Sequence, residues 1–233
     1  MERAEPVVRL RGVAVGPAPG KPLLEKVDLD VAPGSIVAVV GPTGAGKSTL
    51  LRMLGLRRAP LAGDYLFAGQ AVTDVDAEGK ARLRRRLGLA LPDLPWLDQA
   101  SLRDNLALPL VVQDYPSAET RSIVAEFVTW LGLGDRADVA LRDLSAGERR
   151  LVGLARAAVT RPDLLLADEP LAELDGATAR KVVRLVQELA QLGSAVVVAS
   201  AEPALAARFG GETWRIDDRR LRPADAAALR LVG

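Results

Sequence analysis

Residues 35–40, Ser35-Ile36-Val37-Ala38-Val39-Val40, are apolar after the serine, with no polar alternation. A short run of that kind predicts a strand covered on both faces, as in a parallel sheet. Residues 164–167 (LLLA) and 195–199 (AVVVA) have the same character. Two strand-like stretches precede the first of these. Residues 7–15 are stopped by Gly16-Pro17-Ala18-Pro19-Gly20, and residues 23–31, which alternate roughly, are turned by Pro33-Gly34. Helical spacing is predicted from 47 to about 56 and from 177 to 192. Strand and helix thus alternate in the last third, which predicts a parallel sheet flanked by helices.

The middle is different. Residues 101–143 are rich in helix formers and hold no long β-branched run. Residues 117–131 have helical spacing, with Ile123, Phe127, Trp130 and Leu131 on one face. This predicts a helical insertion. The division expected is a single domain over 1–233: a core over about 1–92 and 144–233, and a helical subdomain over about 93–143.

Composition narrows the chemistry. The 233 residues include no cysteine and no histidine, so disulfides, thiolate metal sites and imidazole ligands are excluded. Net charge is +1, which gives no global field toward nucleic acid or membrane. No apolar run approaches the ~18 residues of a membrane span, and the first residues, MERAEPVVRLRG, lack a signal-peptide core. The expectation is a cytoplasmic chain that reaches a membrane only through a partner.

One stretch carries clear chemistry: Gly41-Pro42-Thr43-Gly44-Ala45-Gly46-Lys47-Ser48-Thr49. Its glycines let backbone N–H groups converge on phosphate oxygens, and the helix that follows adds its positive end. Lys47 is placed to reach the β and γ phosphates, and the Ser48 hydroxyl to ligate Mg²⁺. A second element, Leu164-Leu165-Leu166-Ala167-Asp168-Glu169-Pro170, delivers two carboxylates at the end of a buried strand. Asp168 suits the Mg²⁺ shell, and Glu169 the polarisation of an attacking water. A third, Leu144-Ser145-Ala146-Gly147-Glu148, fits a capping box that opens a helix running to about residue 160.

In this order and spacing, the three elements resemble the nucleotide-binding subunit of ABC transporters over nearly the whole chain. GPTGAGKST looks like Walker A, LLLADEP like Walker B with its catalytic glutamate, and LSAGE like the LSGGQ signature, with Ala146 in place of a glycine. Leu171-Ala172-Glu173-Leu174-Asp175 resembles the D-loop. Within the family, RRRLGLALPD, SLRDNLALPL and VVVASAEPALAARF look most like FtsE, the cell-division ATPase that works with the membrane protein FtsX. Lipoprotein-release and macrolide-efflux ATPases stand close behind.

The resemblance implies a P-loop NTPase fold of the ABC ATPase head type. That fold is α/β, with a mixed or parallel sheet, an N-terminal antiparallel β part and an inserted helical subdomain. It implies ATP and Mg²⁺ as ligands, with Glu169 and Lys47 catalytic and with Ser48 and Asp168 on the metal. It also implies a head-to-tail dimer, as homodimer or with another ABC subunit. Ser145 and Gly147 of one protomer would close over the nucleotide held by the other, with Asp175 at the same interface. An integral membrane partner of FtsX type would place the pair on the cytoplasmic face of the inner membrane.

Three positions depart from the pattern. Pro92 stands where the Q-loop glutamine is usual, and Ala201 where the switch histidine is usual. Residues 13–17 (VAVGP) carry no aromatic to stack on adenine. Gln99 and Gln113 do not have the spacing to replace the glutamine. These losses predict a chain that binds Mg-ATP and hydrolyses it slowly, or one that acts as a non-hydrolysing scaffold. A DNA-repair or chromosome ATPase would need coiled-coil or zinc-bearing insertions, and the sequence has neither.

Two further features have open readings. Arg82, Arg84, Arg85 and Arg86 form either a solvated face or a contact for an acidic loop of the partner. Residues 102–110 either line a groove for a partner's helix or pack within the insertion.

Overall fold

The computed structural model describes residues 5–224, so residues 1–4 and 225–233 of the expected core lie outside the described residues. The chain opens with two strands, β1 (Val8–Val15) and β2 (Leu24–Val31). After β3 (Ile36–Val40) comes α1 (Lys47–Leu54), two residues shorter than the spacing predicted because Gly55 caps it. Then follow β4 (Ala62–Phe67), β5 (Gln70–Ala71), α2 (Ala77–Arg85) and β6 (Leu87–Ala90). Two helices come next, α3 (Leu102–Val112) and α4 (Ser117–Leu131), then two single 3₁₀ turns. The chain continues with α5 (Ala146–Ala158), β7 (Leu164–Asp168), α6 (Gly176–Gln191), β8 (Ala195–Ser200) and α7 (Pro203–Ala207). A final antiparallel pair is β9 (Glu212–Asp217) and β10 (Arg220–Pro223).

Two sheets result. An antiparallel sheet has the order β2-β1-β4-β5, and a six-stranded sheet the order β10-β9-β3-β8-β7-β6. In the second, neighbours from β9 through β6 run parallel and only β10 is antiparallel. The apolar runs are buried on both faces, as their lack of alternation predicts. Ile36, Ala38 and Val40 join a core with α3 to α7, while Val37 and Val39 join a second core with α1 and the antiparallel sheet. Successive side chains of one strand point to opposite faces, so one strand serves both cores.

α4 has the expected span, but its deepest face differs. Thr120, Val124, Val128 and Leu131 are buried, while Ile123, Phe127 and Trp130 are only half-buried. Both stripes satisfy helical periodicity, and packing against α3 and α5 decides between them. In α3, Leu102, Leu106 and Leu110 are buried among the helices, which favours internal packing for that face, whereas Leu108, Val111 and Val112 are exposed. No helix of the described residues is long and apolar enough to cross a membrane.

Strand order builds the site. β3, β8, β7 and β6 lie side by side and in parallel, so the segments leaving their carboxyl ends share one edge. Register pairs Val40 with Ser200, Ala199 with Asp168, and Ala167 with Ala90. The Gly41 loop, Ala201, Glu169 and Pro92 therefore follow these strands in a row along the edge where ligands of open α/β sheets bind.

Candidate nucleotide site

The loop between β3 and α1 needs its glycines at two points. Gly44 has φ +83° and Gly46 φ +104°, conformations that a Cβ would oppose. Gly46 is also the residue before α1, so the first N–H groups of the helix are aimed into the loop. Pro42, Thr43 and Gly44 are exposed, Ala45, Ser48 and Thr49 are half-buried, and Gly41 and Lys47 are buried. Lys47 folds back over the loop: its Nζ donates to Gly41 O at 2.8 Å and to Pro42 O at 3.2 Å. A cation held by weakly basic carbonyls in its own loop is readily exchanged onto phosphate oxygens, which are stronger acceptors.

Glu169 follows β7 with φ +48°, in the left-handed region that costs roughly 1–2 kcal/mol for a residue with a Cβ. That conformation is held from two sides. Its N–H donates to Ala199 O at 2.9 Å, and its Oε1 accepts from Ala201 N–H at 2.7 Å. The same Oε1 lies 3.8 Å from Lys47 Nζ. Strained backbone of this kind persists where its surroundings fix it, and it concentrates at functional sites.

Asp168 stands beside it at the end of β7. Its Oδ1 is buried and has no hydrogen-bond partner. An orphaned carboxylate oxygen is unfavourable unless something else takes its charge. A divalent cation next to the loop satisfies that oxygen, so the residues fit Mg²⁺ held by Asp168 and the Ser48 hydroxyl. Among the described residues no cluster of three or more acidic side chains is present to cage a metal.

Pro92 and Ala201 follow β6 and β8 at the carboxyl edge of the sheet. Pro92 lines a cavity of about 300 Å³ together with Asp168, Glu169 and Arg150, and its ring donates nothing. Ala201 offers only its backbone N–H, already given to Glu169. Gln99 is engaged by Arg142, and Gln113 Nε2 donates to Arg85 O at 2.8 Å, so both are held away from the edge. At the end of β1, where no ring stands, the Arg58 guanidinium donates to Gly16 O and Pro17 O.

Ser145, Gly147 and Asp175 do not join the loop through any hydrogen bond or ion pair among the described residues. Ser145 caps α5: its N–H donates to Glu148 Oε2 at 2.8 Å, and its hydroxyl accepts from Glu148 N–H at 3.2 Å. Arg136 also donates to Glu148, at 2.8 and 3.0 Å. Asp175 caps α6 through the N–H groups of Ala177 and Thr178. The Thr178 hydroxyl and these N–H groups hold the Asp175 carboxyl below its ordinary pKa. Both helix starts are exposed and keep their positive ends toward solvent.

Sequence reasoning missed two contacts. Arg150 of α5 donates to Ala172 O and lies 3.7 Å from Glu173, which ties α5 to the segment before Asp175. Asn105, fully buried on α3, accepts from Leu97 N–H and donates to Leu97 O at 3.0 Å, which fixes the segment after Pro92 to the helical insert. An asparagine inside an otherwise apolar helix face was the available signal. The arginine cluster is mostly spent within the molecule: Arg82 pairs with Glu78, Arg84 donates to Leu56 O, and Arg86 pairs with Asp163.

The sequence profile described as "ABC transporter" matches residues 24–172, more than half the chain. The chain belongs to the ABC transporter family. Among curated proteins, this ABC cassette is 39% identical to the lipoprotein-releasing system ATP-binding protein LolD of Shewanella sp. (strain MR-4), over 80% of this chain and 82% of that one. It is 33% identical to the macrolide export ATP-binding/permease protein MacB of Marinobacter nauticus, over 91% of this chain. The cassette spans only 32% of that protein's length. Among solved structures, a dimer of the ATP-binding cassette MJ0796 in a post-hydrolysis state with ADP and Pi superposes with a TM-score of 0.84. The two are 26% identical, over 94% of this chain and 98% of the other. The ABC ATPase cassette fold, with its antiparallel N-terminal sheet and helical insert, is therefore the fold of this chain.

Proposed function

We propose that the cassette binds Mg-ATP on Gly41–Thr49, dimerises head to tail, and turns the nucleotide over slowly while driving an integral membrane partner at the cytoplasmic face. Mg²⁺, held by Ser48 and Asp168, supplies neutralisation of phosphate charge. Lys47 leaves Gly41 O and Pro42 O to neutralise the phosphate tail. Glu169 orients a water and takes its proton on the carboxylate that the Ala201 N–H anchors. Ser145 and Gly147, at the exposed start of α5, serve the nucleotide of the other protomer, with Asp175 at the same interface. The helical insert, 93–143, carries the motion outward from the core, with the Asn105–Leu97 link fixing its first segment to α3.

The observation that carries slow turnover is the Ala201 N–H bond to Glu169 Oε1 at 2.7 Å. Position 201 keeps an anchor for the carboxylate but offers no side-chain donor for the phosphate where charge develops. Loss of one such donor costs roughly 10²–10³ in rate.

Two identities for the complex fit this reading. An FtsEX-type cell-division complex is supported by the RRRLGLALPD, SLRDNLALPL and VVVASAEPALAARF stretches. A lipoprotein-release or export complex is supported by the likeness to LolD and MacB. Steady-state phosphate release by the purified chain, alone and with the membrane protein that co-purifies with it, tests the proposal. Slow release that Glu169→Gln abolishes supports it. Turnover at ordinary ABC rates overturns the weakened site, and whether the co-purifying partner is FtsX-like or a lipoprotein-release or export permease decides the identity.

A further inference from the structure

A cleft of about 710 Å³ opens between α4 and α6, and neither the Gly41–Thr49 loop nor Asp168 or Glu169 lines it. Its walls carry Trp130 from α4, Arg180, Lys181, Arg184 and Gln187 from α6, and Arg208 just after α7. Arg180, Arg184 and Gln187 recur at three- and four-residue spacing, so they form one stripe along the helix. None of the residues lining the cleft is acidic. Among the described residues, Arg180, Arg184 and Arg208 enter no ion pair. Lys181 Nζ donates to Leu131 O at 3.3 Å, across the cleft. Like charges four residues apart on a helix repel and weaken it. Lys181 has an internal role at the end of α4, but internal stability gives no reason for gathering the three arginines beside it.

We infer that this cleft binds a soluble small molecule carrying two or more phosphate groups, clamped between the helical insert and the core. Each phosphate brings up to about two negative charges, so a few groups neutralise four cations within one small volume. Carboxylates bring one charge each, and an acidic peptide would have to crowd four of them together. Guanidinium forks match phosphate oxygens in pairs. The half-buried Trp130 ring covers the apolar or planar body between the phosphates. The volume falls within the roughly 300–1,000 Å³ of small-molecule sites. Bound there, the ligand pins α4 to α6, the helix that Asp175 caps. The site is independent of the loop at Lys47.

Titration calorimetry on the full chain at about 150 mM salt, with inositol hexakisphosphate as the probe, tests this. One-to-one binding that persists in Lys47→Ala, weakens at least tenfold in Arg184→Gln and disappears in Arg180→Gln/Arg184→Gln supports the inference. Absence of binding to the wild type, loss of binding in Lys47→Ala, or unchanged affinity in the double variant overturns it. Tighter binding of a hexaglutamate peptide overturns it in favour of a protein partner. Co-sedimentation with phosphatidylglycerol vesicles in preference to the soluble probe overturns it in favour of a lipid headgroup.

Discussion

Ala201 donates its backbone N–H to Glu169 Oε1 at 2.7 Å, so a residue without a polar side chain anchors the carboxylate expected to activate water. The same oxygen lies 3.8 Å from Lys47 Nζ. Glu169 is thus positioned by main chain and by the loop lysine. Nothing at 92 or 201 reaches beyond it toward a γ-phosphate.

Restoring those side chains raises turnover. Pro92→Gln/Ala201→His should release phosphate at least on the order of 10² faster than the parent, since restoring even one donor offsets a loss of about 10²–10³. Phosphate release under saturating Mg-ATP measures it, and an unchanged rate would show that neither position limits the reaction.

Asp168 keeps a buried oxygen unpaired, which costs folding free energy until a cation arrives. Asp168→Asn is expected to leave the ligand-free melting temperature unchanged or higher. The rise in melting temperature that Mg-ATP gives the parent should be lost. Thermal unfolding with and without Mg-ATP checks both halves, and an undiminished shift in the variant would remove Asp168 from the metal.

The Ser145–Glu148 capping box has a pH signature. Burial works to raise the Glu148 pKa, but the Ser145 N–H and hydroxyl together with Arg136 outweigh it and hold the value below the ordinary 4.5. A carboxylate depressed in the fold stabilises fully above its unfolded pKa, and that contribution disappears as pH falls through the folded value. Glu148→Gln is expected to cost about 1 kcal/mol at pH 7, with the gap to the parent closing below about pH 4.5. Urea unfolding across pH reads the gap, and a constant gap would contradict the assignment.

Gly88 of β6 lies so close to α5 that an added Cβ would meet Ala157 O at 2.1 Å and Pro162 Cγ at 2.7 Å. Backbone cannot move aside as a side-chain tip can. Gly88→Ala is therefore expected to destabilise by about 1–3 kcal/mol, and to slow turnover further by shifting the strand that leads to Pro92. Denaturant midpoints measure the first effect.

Asn105→Leu strips the Leu97 N–H and C=O of their partner inside the insert. The cost is about 1–3 kcal/mol per group left unpaired. Nucleotide affinity of the isolated chain should hold, while stimulation of turnover by the membrane partner falls. Equal losses in both would make Asn105 a matter of general stability only.

Much of this was legible in the chain because the physics is local. Residues 36–40, 164–167 and 195–199 lack alternation, and each is a strand buried on both faces. Ser145 and Glu148 are three apart, and they close the predicted capping box. β9 and β10 gave no such signal. Glu212, Arg215 and Asp217 interleave with apolar residues in one, and Arg220, Arg222 and Pro223 flank a single buried Leu221 in the other. The place of β9 was set by pairing with β3, which lies far away in sequence, and that of β10 by pairing with β9. The link between Glu169 and Ala201 was likewise invisible, since a backbone donor carries no residue identity. The face of α4 was misread because two apolar stripes compete on it, and only contact with α3 and α5 separates them.

The most direct test of the account is calorimetric titration of Mg-ATP into the purified chain, beside Lys47→Ala. Saturable uptake of one nucleotide per chain, lost in Lys47→Ala, is the predicted result. No heat of binding in the parent, or uptake that Lys47→Ala leaves intact, would contradict the claim that Gly41–Thr49 holds a triphosphate.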